Sequence, residues 1–197
     1  MLFRSLYVLR HFVVFNADQV DGADEFHVTE DETSEFPSFA PADELITATG
    51  ATIQHGGGKA FYTVPFPEDD WPHHVSGDYI QMPLKQHFDP ASGYYETLLH
   101  ELAHWSERRL GWDRRIHGHA MCELVAEIAA SYLASELGVP QADSLENHAA
   151  YVKSWLWSMR SDPSFIFSAS TQASKVADFL LSFVQSEAEK THATTID

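Results

Sequence analysis

Two rhythms of apolar and polar residues run along this chain. Tyr94, Tyr95, Leu98, Leu99, Leu102 and Ala103 recur at the spacing of one helical face, as do Val176, Phe179, Leu180 and Phe183. Helices are predicted over about 91–110, 118–138, 145–161 and 163–187. Gly138 and Pro140 close the second; Asp162 and Pro163 open the last as N-cap and first helical residue. A shorter helix fits Ala42 to Thr49, ended by Gly50. The other rhythm is β-type. Thr52 to His55, Ala60 to Val64 and Asp78 to Met82 read as short strands, with Gly56-Gly57-Gly58 as a hairpin turn between the first two. Residues 1–20 also read as a β-type segment. The expected fold class is α+β: a small, mostly antiparallel sheet followed by helices.

Between these patterned segments, Asp21 to Pro41 is acidic, broken by Pro37 and Pro41, and without period. It reads as a linker or wrapping arm whose Phe26, Phe36 and Phe39 are available as anchors. The stretch from Glu187 is polar and expected to fray.

Composition narrows the picture. A chain of 197 residues with 44% hydrophobic residues and five Trp fits one domain with a terminal extension. The formal net charge of −17 argues against direct nucleic-acid binding, since phosphates are met by Lys and Arg. Cys122 is the single cysteine, which excludes an intrachain disulfide and fits a reducing, cytoplasmic setting. Beside Glu123, it reads as a small buried apolar residue. The apolar start, Met1 to Phe15, is broken by Arg10 and His11 and lacks a small-x-small site, so it fits a strand better than a signal peptide. There is no run of 18 apolar residues to span a membrane.

The chemistry sits in His100-Glu101-Leu102-Ala103-His104. Histidines four apart on a helix share a face and can hold one Zn²⁺, and the glutamate between them can hold and deprotonate a metal-bound water. A catalytic zinc also needs a third protein ligand and an open position. Nineteen residues after His104 comes Glu123, with Glu127 one turn further on. One of these carboxylates can bind the metal while the other accepts the free ring N–H of a ligand histidine. The polar, basic connection from Ser106 to Gly118 suits an antiparallel return. The spacing therefore points to a zinc-dependent hydrolase, with Glu101 as general base and a protein or peptide as substrate. The strand Asp78 to Met82 is expected to offer an exposed edge to that peptide. A phosphate-loop reading of the three glycines fails, because no Walker Lys-Ser/Thr ending follows.

Several separated segments also resemble a known family. They are Ile80-Gln81-Met82-Pro83 through Tyr94 to Trp105, Glu123 to Glu127, His148 to Leu156, and Ile166-Phe167 followed by Ala173 to Leu180. In order and spacing they resemble the zincin-like metallopeptidase domain of ArdC-type antirestriction proteins, over most of residues 42–183. The resemblance implies that residues 42–187 form the metallopeptidase domain, 23–41 an acidic linker and 188–197 a polar tail. In that family a single-stranded-DNA-binding domain precedes the peptidase. Residues 1–22 resemble only its last strand and exit. The family pattern places the metal ligand first on the second helix, so His100, His104 and Glu123 are expected to bind zinc and Glu127 to support a ligand histidine. Peptidases of this kind draw an oxyanion contact from a later helix, which makes His148 and Tyr151 candidates beside a plainer role as cap or core hydrogen-bonders. Two positions depart from the family pattern: His119 stands where a tyrosine is frequent, and Cys122 where an acid is common. His119 is read as a surface residue, with oxyanion binding as the other option.

Two further readings compete with a peptidase acting in antirestriction or DNA transfer. One is a non-catalytic acidic protein that mimics DNA, with a structural zinc site. The other is a DNA-bound factor with a structural zinc domain, disfavoured because residues 1–22 resemble only the end of the family's DNA-binding domain. Oligomeric state is open.

Overall fold

A computed structural model of the chain describes residues 36–63, 77–140 and 149–194, with side chains of the last segment described over 155–185. The chain divides into two units, Met1–Glu35 and Phe36–Asp197, and every described residue falls in the second. Its elements are α1 (Ala40–Thr49), β1 (Thr52–His55), β2 (Phe61–Thr63), β3 (Tyr79–Met82), α2 (Ser92–Glu107), α3 (Arg114–His117), α4 (His119–Leu137), α5 (Ala149–Ser161) and α6 (Phe165–Thr194). A single 3₁₀ turn, Lys85–His87, precedes α2. The class is α+β, as the patterning predicts.

The sheet departs from expectation. Its order is β1-β3-β2, with β1 parallel and β2 antiparallel to β3. The glycine run is therefore no hairpin turn, because β3 lies between the two strands it joins. Residues 56–60 cross two strand spacings, about 9.6 Å, well within the reach of five residues. The proposed exposed edge on Asp78 to Met82 is likewise wrong: β3 is paired on both sides, and among the described residues the edges belong to β1 and β2. Pairing β3 centrally suits its side chains, since Ile80 and Met82 are fully buried.

Helix ends follow their signals. Gly50 and Gly138 close α1 and α4 in the left-handed region (φ 64° and 70°), where a side chain would be strained. Asp162 accepts hydrogen bonds from the Ser164 N–H (2.9 Å) and hydroxyl (2.7 Å), bracing the turn that leads into α6. That helix begins at Phe165 rather than Pro163 and runs on to Thr194, past the predicted fraying point at Glu187.

α4 is the central element. Five consecutive residues from Cys122 to Ala126 are buried, as expected of a helix covered on all sides. It packs against α2 on one flank and α6 on another. Ala126, Ala129, Ala130 and Ala134 keep it slim, while Leu133 fills the core beside Val176 and Leu180 of α6. On α1, Asp43 accepts a hydrogen bond from the Tyr95 hydroxyl of α2 (3.0 Å). Phe36 and Phe39 anchor the approach to α1 by packing against Tyr94 and Tyr95; Phe26 lies outside the described residues. No helix among the described residues is long and apolar enough to cross a membrane.

Leu133 has no exposed surface, whereas Leu156 is 49% exposed. Leu133→Ala is expected to lower unfolding free energy by ~2–5 kcal/mol, transfer and cavity terms together. Leu156→Ala should change it by under about 1 kcal/mol. Urea titration of both variants measures the difference, and equal midpoints would contradict the packing.

Candidate metal centre

Helical spacing lays out each half of the site. On α2, His100, His104 and Glu107 share one face, and Glu101 stands about a quarter turn away. On α4, His119, Glu123 and Glu127 follow at intervals of four. Packing α2 on α4 brings the two faces together.

The Nε2 atoms of His100 and His104 are 3.1 Å apart. Glu123 Oε2 is 3.5 Å from His100 Nε2, and Glu123 Oε1 is 3.4 Å from His104 Nε2. Among the described residues, these three form the grouping whose ligand atoms converge tightly enough to hold a metal ion. Donors about 2.0–2.1 Å from a tetrahedral ion stand about 3.3–3.4 Å apart, so the spacing fits one. The outward ring nitrogens are matched to carboxylates. His100 Nδ1 is 3.3 Å from Glu127 Oε2, and His104 Nδ1 is 2.7 Å from Glu107 Oε1. Such partners fix a ligand imidazole with its proton outward and its lone pair inward.

Charge supports the same fit. Burial works against charge on His100, yet the carboxylates of Glu123 and Glu127 outweigh it and push the imidazole up to about 9. His104 is raised in the same way against burial, by Glu107 and Glu123. Burial also opposes ionisation of Glu123, but His100 and His104 hold its carboxyl below the usual carboxylate range. The acids thus create a buried demand for positive charge, which protons or a cation can meet.

Glu101 is buried beside the histidines. Desolvation raises its pKa against the pull of His104 and His100, with the backbone N–H of Tyr62 in β2 pulling the same way as the histidines.

His119 is 63% exposed at its side chain, as a surface residue should be, but its Nδ1 lies 3.2 Å from Glu123 Oε1. Cys122 is fully buried and accepts a hydrogen bond from Trp112 Nε1 at 3.3 Å, consistent with a packing role. His148 lies outside the described residues, as does the side chain of Tyr151, so neither enters the site's geometry.

Two participants escaped the sequence reading. Glu107 follows His104 by three positions, and helical spacing alone could have placed it under that ring. Arg114, the first residue of α3, brings its Nη2 to 3.4 Å from Glu123 Oε1 and 3.5 Å from Glu107 Oε1. Burial opposes its charge and these two carboxylates reinforce it. No local spacing signals this contact, because it depends on how the connection folds.

Comparison with known proteins agrees with this arrangement. A family model described as zincin-like metallopeptidase matches residues 40–172. Two DNA primase TraC sequences of Escherichia coli are 38% and 33% identical over 184 residues, which is 90% of this chain but 16% and 12% of theirs. Protein y4eC of Sinorhizobium fredii (strain NBRC 101917 / NGR234) is 32% identical over 87% of this chain and 53% of its own. Crystal structures of the antirestriction protein ArdC from the R388 plasmid, one Mn(II)-bound and one metal-free, match at 36% identity with a TM-score of 0.61. The Mn(II)-bound match covers 88% of this chain and 62% of ArdC. This chain therefore spans only part of each relative. Because the family match takes in the strands and helices that build the metal centre, the chain belongs to the zincin-like metallopeptidases.

Proposed function

We propose that this chain is a zinc-dependent metallopeptidase, with His100, His104 and Glu123 as the protein ligands and Glu101 as general base. The observation that carries the proposal is the 3.1–3.5 Å triangle of two imidazole nitrogens and a carboxylate, with Glu101 buried beside it. Two nitrogens and one oxygen with an open fourth position suit zinc. The R388 ArdC structure is described as Mn(II)-bound, so manganese is the competing metal. When bound, the ion supplies Lewis-acid chemistry, polarising a carbonyl and lowering a water's pKa from 15.7 to roughly 7.

The chain's own residues do the rest. Glu127 and Glu107 orient the two rings. Glu101 takes the proton of the attacking water as its oxygen bonds to the scissile carbonyl carbon. It then delivers that proton to the nitrogen as the C–N bond breaks. An extended peptide can add to the outer side of β2, the edge strand that touches Glu101. His148 and Tyr151 stay candidates for the oxyanion contact. By analogy with ArdC, we place the substrate among proteins that act against incoming plasmid or phage DNA. A net charge of −17 favours a protein over a nucleic acid as the direct partner.

Metal analysis beside a peptide-library digest tests the reading. About one zinc per chain is expected, lost in a His100→Ala/His104→Ala double variant. Full zinc occupancy in that variant would sink the site, and manganese in place of zinc would overturn the metal assignment.

A further inference from the structure

We propose that Arg114 and Glu107 act as one positioning pair for the metal ligands, tying the acid under His104 to the carboxylate of Glu123. This rests on the metal-site reading above.

The geometry is that of a bridge. A single nitrogen, Arg114 Nη2, lies within 3.5 Å of Glu107 and 3.4 Å of Glu123, acids on different helices. The same atom lies 2.9 Å from His104 Nδ1, which is also 2.7 Å from Glu107. Nδ1 cannot donate to the carboxylate and accept from the guanidinium together. A histidine that offers Nε2 to an ion keeps its proton on Nδ1, so Nδ1 donates to Glu107. Arg114 then serves the two carboxylates alone. Glu107 and Glu123 are 8% and 5% exposed, so water screens their charges poorly and both carboxylates gain from a cation.

The bridge also sorts the oxygens of Glu123. Arg114 Nη2 and His119 Nδ1 both gather on Oε1, leaving Oε2 on the side of His100. The guanidinium so fixes the rotation of the ligand carboxylate. It arrives on a purpose-shaped connection. α3 is one turn long, and Gly111 and Gly118 flank it in the left-handed region at φ 69° and 81°. Asp113 starts the turn by accepting the Arg115 N–H at 2.8 Å.

Metal binding itself provides the test. Zinc affinity is measured by chelator competition for wild type, Arg114→Gln, Arg114→Lys, Glu107→Gln and the Arg114→Gln/Glu107→Gln double variant. The visible spectrum of each Co(II)-loaded form reports ligand geometry. Arg114→Gln and Glu107→Gln should each weaken zinc by ~10–100-fold and change the Co(II) band. Arg114→Lys should recover part of the affinity by restoring charge. The double variant should lose less than the product of the single losses, because both residues act through one bridge. The Arg114 side chain is 42% exposed, so its replacement leaves no core cavity, and circular dichroism checks that the helices persist. Wild-type affinity and an unchanged band in Arg114→Gln would overturn the proposal, as would multiplicative losses in the double variant. A wild-type chain that takes up neither ion would instead overturn the metal site on which the proposal rests.

Discussion

Glu101→Gln is expected to keep the metal and the fold while peptide hydrolysis falls by ~10²–10⁴-fold. The substitution preserves shape and leaves an amide oxygen that still accepts hydrogen bonds. What it loses is the ability to take a proton. Glu101 stands outside the His100, His104 and Glu123 triangle, so the metal donors survive. Burial also favours the change, because a neutral amide is easier to desolvate than a carboxylate. Metal content, thermal unfolding and turnover of a library-derived peptide are the three measurements. If metal is lost with activity, Glu101 is a ligand and the assignment of base is wrong. Inhibition of restriction that survives Glu101→Gln would shift the case to the non-catalytic acidic reading.

The site was more legible in the sequence than the sheet, and the reason is geometric. A helix converts spacing into direction, so His100 and His104 on α2 and Glu123 and Glu127 on α4 declare their faces before any tertiary contact is known. The same rule places Glu107 beneath His104, although a single acid at that spacing is also common on solvated helices. Strands declare only which residues alternate, not which strand is the neighbour. Nothing in Thr52 to His55 or Phe61 to Thr63 distinguishes a hairpin from two strands with β3 inserted between them. Arg114 was unreadable for a further reason. Its reach depends on the turn set by Gly111, Asp113 and Gly118, and a basic residue in a polar connection otherwise reads as solvated.

Glu123 and Glu127 separate most sharply under mutation. Glu123→Ala is expected to abolish zinc binding at ordinary concentrations, whereas Glu127→Ala should weaken it by only ~10–100-fold. Glu123 reaches both inward-facing Nε2 atoms and is 6% exposed at its side chain. Glu127 meets the outward Nδ1 of His100, at 3.3 Å, with 27% of its side chain exposed. Removing Glu123 takes away a donor, the leading counter-charge of His100 and, after Glu107, the second of His104. It also takes from Arg114 and His119 the Oε1 on which they converge. Removing Glu127 leaves all three donors in place and lets water replace a half-exposed hydrogen bond. Isothermal titration of the apo-proteins with zinc resolves the two cases, with competition by a chelator for the tighter binders. Equal and complete loss in both variants would leave no basis for ranking the acids. A retained site in Glu123→Ala, lost in Glu127→Ala, would reverse them and make Glu127 the third ligand.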